Sequence, residues 1–263
     1  MRSVKRGIAL VLLASGLTRI CGAQAKPDVS ITQKAEKQFQ TASLNTVSLG
    51  KGVFLFSGDG ANIVAVTEDA TTVLVDSGIA SRVDELAQAL ANTTHGPVTC
   101  LINTSWHFDH TGGNTFFGSS GVVITAQENI AKELASAWSV PFVGLRDGPY
   151  PTQPRRTFKT NLALDQGHER LEMVNHGPAH TDGDTVVYLM PDNIAVVGDI
   201  FSNPYYPVID LSAGGSVEGL IYTIPNRNQH VAICQLVGSD SEHSVSRDDL
   251  CLWVAARHRR ADS

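Results

Sequence analysis

Between Val98 and Asn114 the chain passes from an apolar run, Val98-Thr99-Cys100-Leu101-Ile102, straight into Asn103-Thr104-Ser105-Trp106-His107-Phe108-Asp109-His110-Thr111-Gly112-Gly113-Asn114. The run is short and rich in β-branched and aliphatic residues, which predicts a strand. Two histidines and a carboxylate then fall within four residues, where the strand ends and a glycine turn begins. A loop at that position can aim all three side chains at one point. Imidazole and carboxylate are zinc's usual nitrogen and oxygen ligands. The competing reading is a polar loop whose histidines cap neighbouring carbonyls.

Other short stretches rich in β-branched residues predict strands on both sides of this segment. Gly52–Ser57, Asn62–Thr67 and Thr72–Asp76 precede it, separated by turn residues such as Gly58-Asp59-Gly60. Val122–Thr125, Thr157–Leu164, Glu169–Val174, Thr185–Met190 and Ala195–Val197 follow it. Within Arg82–Thr93, Val83, Leu86, Ala87 and Leu90 recur at helical spacing; Gln127–Trp138, a segment after Gly215 and Arg247–Arg259 also read as helices. Residues 26–45 read as a loose lead-in or an edge helix, and 139–156, with four prolines and three arginines, as a long loop. Two runs of strands, each followed by helix, suggest two similar halves packed sheet against sheet with helices outside. The 23 glycines suit such a strand-and-loop fold better than a helical bundle.

The cluster resembles the signature of the metallo-β-lactamase superfamily, in which a strand delivers His-x-His-x-Asp-His before a glycine pair. Val75-Asp76-Ser77-Gly78 upstream matches the place of a structural aspartate, and Gly177-Pro178-Ala179-His180-Thr181-Asp182-Gly183-Asp184 the segment that supplies a further histidine. Val197-Gly198-Asp199 matches the segment whose aspartate bridges two metals, and the whole resemblance runs from about Val53 to Leu220. It implies an α/β (α+β) fold, the four-layer αββα sandwich, with a dinuclear zinc site at one edge between the sheets. His107 and His180 would hold the first metal, Asp109 and His110 the second, and Asp199 would bridge them. One or two Zn2+ per chain would lower the pKa of bound water from about 15.7 towards about 7 and so supply hydroxide at neutral pH. Asp109 would be the catalytic group that orients that hydroxide and carries its proton.

Two departures from the signature matter. Its first histidine falls at Ser105, a weak ligand, so the first site would lose affinity or take water there. His107, His180 and Asp199 still make three protein ligands, the number a catalytic zinc normally has. The Gly-His-Gly turn that usually supplies the last ligand is also missing. His243, before Ser244-Val245-Ser246-Arg247-Asp248-Asp249-Leu250, is the nearest candidate, with His230 as the alternative. His95, His168 and His258 read as surface residues, and His176 has no matched role. Trp106, Phe108, Phe116 and Phe117 divide between core packing and pocket lining.

The resemblance implies a small-molecule substrate with an ester, lactone, thioester or lactam bond, since family members cleave lactams, lactones, thioesters and phosphodiesters. Classes acting on β-lactam antibiotics usually lack an aspartate at the Asp199 position, which favours the broader hydrolases. A non-enzymatic alternative is a degenerate scaffold that binds a ligand or metal without turnover. No Gly-x-Ser-x-Gly or Gly-x-x-x-x-Gly-Lys pattern offers another chemistry.

The N-terminus reads as a secretory leader over residues 1–25, with the enzyme-like domain over 26–263. Arg2, Lys5 and Arg6 precede an 11-residue apolar run, Gly7–Leu17, and Ala23-Gln24-Ala25 supplies small residues at a cleavage spacing. A membrane-crossing helix needs about 20 residues, so no membrane association is expected after cleavage. The site of action is then periplasmic or secreted. Loss of Arg2, Lys5, Arg6 and Arg19 turns the 20 basic against 26 acidic residues into 16 against 26, near −10. Such a surface repels phosphate backbones, and nucleic-acid binding is not expected. Cys21 leaves with the leader; Cys100, Cys234 and Cys251 allow one disulfide at most, and Cys100 reads as a small buried hydrophobe.

Overall fold

The computed structural model describes residues 43–59, 61–68, 70–136, 139–140, 144–145, 152–203, 207–223 and 231–236. Strands β1 (Asn45–Gly50), β2 (Val53–Asp59), β3 (Ala61–Glu68) and β4 (Thr71–Val75) form an antiparallel meander. Helix α1 (Val83–Thr93) then crosses over to β5 (Val98–Ile102), which lies parallel to β4. The short helices α2 (Phe108–Thr111) and α3 (Asn114–Ser119) lead to β6 (Val123–Gln127), and α4 (Glu128–Ala135) follows. A small pair, β7 (Ser139–Val140) with β8 (Gly144–Leu145), precedes β9 (Arg156–Phe158), which closes a seven-stranded sheet in the order β1-β2-β3-β4-β5-β6-β9.

The second sheet runs β10-β11-β12-β13-β14. Its strands are β10 (Asn161–Gln166), β11 (Glu169–Val174), β12 (Val186–Met190), β13 (Ile194–Asn203) and β14 (Val231–Leu236). The first four are antiparallel to their neighbours and β14 is parallel to β13. Helix α5 (Val217–Thr223) lies between β13 and β14 in sequence.

Side-chain alternation explains why the sheets stack. Successive strand residues point to opposite faces. Val64, Val66, Val73 and Val75 meet Leu171, Met173, Val187, Leu189 and Val196 in a core between the two sheets. The intervening residues Ile63, Ala65 and Leu74 face the other way and pack with Leu86 and Leu90 of α1 and Phe117 of α3. On the far side, Val186, Tyr188 and Ala195 pack with Leu220 of α5. The layers are therefore helix, sheet, sheet, helix: the αββα sandwich expected from the sequence. Both faces of β3 and β4 are covered, which is why these strands read as apolar runs rather than as apolar–polar alternation.

Several boundaries differ from the sequence reading. The lead-in over 26–45 gives way to edge strand β1 at Asn45. Thr157–Leu164 is not one strand: Lys159 and Thr160 bend the chain so that β9 joins the first sheet and β10 the second. The loop over 139–156 contains β7 and β8 and ends inside β9. β13 extends well past Ala195–Val197 because β14, which the sequence reading did not pick out, pairs along it. The leader, the terminal helix over Arg247–Arg259, and His230, His243 and His258 lie outside the described residues. Among the described residues no helix is long and apolar enough to cross a membrane.

Leu101 of β5 has no exposed surface and packs in the layer under α1. Truncating such a side chain loses its transfer energy and leaves a cavity. Leu101→Ala is expected to lower unfolding stability by about 2–5 kcal/mol in chemical denaturation.

Candidate metal centre

The parallel strands β4 and β5 end side by side, and the loops that leave them build the centre. Asp76, next after β4, adopts a left-handed backbone (φ 63°), and its side chain is wholly buried. One carboxylate oxygen accepts a hydrogen bond from the Thr104 amide at 2.8 Å. The other accepts from Thr104 Oγ1 at 2.5 Å and lies 2.8 Å from His110 Nδ1. The backbones are tied as well, with the Asp76 amide donating to Ile102 O and the Ser77 amide to His110 O. Ser77 Oγ also donates to His110 O, and Asn103 and Asn114 exchange side-chain hydrogen bonds beneath the turn.

Helix α2 is a single turn, enough to set Asp109 and His110 side by side with both side chains buried. The glycine pair acts through close approach. Gly112 has ordinary helical angles, but a Cβ there would lie 2.3 Å from the Ala80 amide nitrogen and 2.6 Å from Gly78 O. Gly198 differs: its φ is 53°, and a Cβ would meet Thr104 Oγ1 at 2.5 Å. Only glycine lets β13 turn against Thr104 and present Asp199.

The donors form two groups that share one carboxylate. His107, His180 and Asp199 make one group, and Asp109, His110 and Asp199 the other. Within each, one ligand atom per residue lies within 4.8 Å of the others. Asp199 Oδ2 is 3.1 Å from His107 Nδ1 and 3.3 Å from His180 Nε2, while Oδ1 is 3.0 Å from His110 Nε2. His107 Nδ1 and His180 Nε2 are 2.9 Å apart.

Each imidazole has an acceptor behind it. His110 Nδ1 faces Asp76, His107 Nε2 faces Asp210 Oδ2 at 3.3 Å, and His180 Nδ1 faces Val208 O at 2.6 Å. Those acceptors hold the ring protons on the outer nitrogens and leave the inner lone pairs directed at Asp199. Three lone pairs and two buried carboxylates converging on one space need positive charge there, either extra protons or cations. The donor set fits divalent metal on chemistry as well as geometry.

Residues 56–226 match the metallo-β-lactamase superfamily over well more than half of the chain. The chain belongs to the metallo-β-lactamase superfamily. Solved structures agree on the fold. A metallo-β-lactamase from Pontibacter korlensis is 20% identical, with 73% of this chain and 91% of that chain covered and a TM-score of 0.58. BJP-1, a subclass B3 metallo-β-lactamase of Bradyrhizobium japonicum, is 16% identical, with 76% and 80% covered and a TM-score of 0.61. A Cronobacter sakazakii metallo-β-lactamase described by its HARLDQ motif is 15% identical, with 72% and 80% covered and a TM-score of 0.56. At these identities the likeness is one of architecture.

Electrostatics in this superfamily member split the carboxylates. Burial pushes Asp109 up from the ordinary carboxylate range, and the Asp199 charge adds to that against the pull of His110. Asp199 feels the same burial, but His110, His180 and His107 outweigh it and hold its carboxyl well below that range. Burial works against protonation of His107, yet Asp199 and Asp210 carry it up to about 9. His110 is likewise held well above its ordinary value, with Asp199, Asp76 and Asp109 outweighing burial. Without metal, protons on these rings supply the missing positive charge, and metal binding displaces them.

The sequence-predicted residues His107, Asp109, His110, His180 and Asp199 thus come together, while His243 lies outside the described residues. Ser105 is wholly buried with its Oγ 3.3 Å from His107 Nδ1, so its hydroxyl lines the first group. Trp106 is a core residue with Ala126, Ile130 and Leu134, and its ring lies 4.4 Å from that of His107. Phe117 is core, and Phe116 is exposed. His176 bonds the Tyr188 hydroxyl at 2.8 Å, and His95 and His168 lie at the surface.

Sequence reasoning missed the brace over 207–215. Besides holding His107, Asp210 uses its other oxygen to accept from the Ser212 and Ala213 amides, and its own amide donates to His180 O. The signal in the sequence, an aspartate ahead of Leu211-Ser212-Ala213-Gly214, announces only a capped turn. Asp184 was unassigned too; it accepts from the Thr181 amide and hydroxyl and shapes the loop carrying His180.

A folded-state pKa raised from 6.5 to about 9 means that His107 stabilises the metal-free fold fully below about pH 6.5. That contribution disappears as pH rises through about 9. Thermal melts of chelator-treated protein should show Tm falling across this window. The fall should be shallower in Asp210→Asn, which removes one of the three carboxylates that raise the His107 pKa, Asp199, Asp210 and Asp109.

Proposed function

We propose that this chain is an exported, zinc-dependent hydrolase that cleaves an ester, lactone, thioester or lactam bond in a small molecule. The observation that carries the reading is the pair of donor groups sharing Asp199, with each of the three rings held by an outer acceptor. A polar loop of capping histidines would not turn three inner lone pairs onto one carboxylate. Nitrogen and oxygen donors in sets of three suit zinc with a position left for water or substrate. Bound here, zinc supplies hydroxide near neutral pH and positive charge for a developing oxyanion.

The chain's own residues do the rest. His107 and His180 with Asp199 would hold one ion; Asp109 and His110 with the same Asp199 would hold the other. Asp76, Asp210 and Val208 O keep the rings from rotating, which preserves the geometry between turnovers. Asp109 would be the proton carrier, because its carboxylate lies in the shared donor space beside Asp199, where it can orient the attacking water and take its proton. Buried Ser105 stands where a further imidazole would complete the first group, so that site holds its ion with three protein ligands and binds it more weakly than a histidine at this position would allow. Export rests on the basic start, the apolar run Gly7–Leu17 and Ala23-Gln24-Ala25.

Two experiments test these readings. Protein recovered outside the cytoplasm should begin at Lys26 by N-terminal mass spectrometry, and an intact Met1 on that material would overturn export. For catalysis, a panel of lactone, thioester, β-lactam and phosphodiester substrates is assayed alongside zinc content. Asp199→Ala should lose metal and activity together. Asp109→Asn should retain most of its metal yet fall about 10²–10⁴-fold in kcat, since the amide keeps the shape but carries no proton. Activity persisting in Asp199→Ala or in metal-stripped wild type would falsify the zinc mechanism. Zinc-loaded wild type inert on the whole panel would favour the scaffold that binds without turnover.

A further inference from the structure

The centre occupies the end of the sandwich where β4 and β5 finish and β12 begins. At the opposite end lie the turns β3–β4, β10–β11 and β12–β13, and three of their residues converge. His168 sits in the β10–β11 turn, Glu169 opens β11, and Asp192 lies in the β12–β13 turn. One ligand atom from each lies within 4.8 Å of the others. We propose that His168, Glu169 and Asp192 form a second metal site, independent of the catalytic centre, for a divalent transition ion of the zinc class.

The strongest observation is Glu169. The residue is 1% exposed, both carboxylate oxygens are buried, and neither has a hydrogen-bond partner. A carboxylate removed from water without such partners is strongly unfavourable unless positive charge sits beside it. His168 Nε2 lies 3.3 Å from Glu169 Oε1. Two atoms each about 2.1 Å from a tetrahedral ion are about 3.4 Å apart, so this spacing suits two ligands on one metal.

Glu68 supplies the outer acceptor. Its carboxylate pairs with His168 Nδ1, which keeps the ring proton on that side and leaves Nε2 for the metal. The arrangement repeats what Asp76 does for His110. Glu68 is itself packed over Gly167, whose φ is 60° and where a Cβ would fall on the Glu68 side chain. Charge points the same way: three carboxylates, from Glu68, Glu169 and Asp192, surround one imidazole, and protonating that ring offsets only one of them. A divalent ion offsets two and leaves the ring neutral. A nitrogen donor with two carboxylates favours zinc-like ions over calcium, which takes six to eight oxygens.

The consequence is structural. His168 and Asp192 lie in turns of the second sheet and Glu169 opens β11, so a bound ion joins two turns of that sheet and fixes the ring through which Glu68 of the first sheet is held, at the end away from the catalytic centre. The full-length chain, with Asp192→Asn and His168→Gln as variants, is titrated with zinc against a chromophoric chelator. The binding step assigned to this site should be at least about tenfold weaker in either variant than in wild type, with the other steps unchanged. Equal stoichiometry and superimposable titrations in all three proteins would overturn the site. Crystals of wild type soaked in zinc give a reading independent of how the variants fold. An anomalous-difference peak among His168 Nε2, Glu169 and Asp192 is expected, and its absence overturns the proposal.

Discussion

Asp76 is a charged residue with no access to water, and the metal centre is organised around it. Its two oxygens hold the Thr104 amide, the Thr104 hydroxyl and the His110 ring at once. A buried carboxylate persists only when such partners replace its hydration. The three interactions therefore oblige the chain after β5 to return to the end of β4. Thr104 passes the constraint on: its carbonyl accepts from the Thr185 amide just ahead of β12, and its hydroxyl abuts Gly198 next to Asp199. Removing the Asp76 charge would loosen a ring, a strand end and the contact between sheets together.

The sandwich also settles where chemistry occurs. Parallel strands β4, β5 and β6 deliver their following loops to one end, and open α/β sheets bind ligands outside the carboxyl ends of such strands. The antiparallel second sheet contributes a loop before β12 and a strand that runs on past its partner, so His180 and Asp199 arrive from the other layer. The segment over 207–210 then fastens His180 through Val208 O and the Asp210 amide, and His107 through the Asp210 carboxylate. Neither sheet holds a complete donor set by itself.

Much of this is legible in the sequence alone. The strand Val98–Ile102 with its histidines and aspartate, the loop carrying His180, and Asp199 after Val197-Gly198 mark five of the donors, because ligand types at short spacing at a strand end are a local property. Strands on the scale of β3, β4 and β11 are also readable from their composition. The failures have one origin. Thr157–Leu164 reads as a single strand because nothing in its composition says that the chain changes sheets at Lys159 and Thr160. β1 and β14 escape a sequence reading because each is defined by the neighbour it pairs with.

His168 shows the same division at a single residue. By sequence it is a polar turn histidine, and its surface position agrees. Glu68 lies 100 residues earlier and Asp192 two turns later, so nothing local announces that all three share an end of the sandwich with the buried Glu169. Asp210 is comparable, a turn-capping aspartate by sequence and a support for His107 in the fold. By itself the sequence determined the kinds of donor, their order and the faces of the strands, because alternation and spacing depend on neighbours along the chain. Only the tertiary structure decided which carboxylates stand behind which rings, because hydrogen bonds and charge act over a few ångströms in space, whatever the separation in sequence.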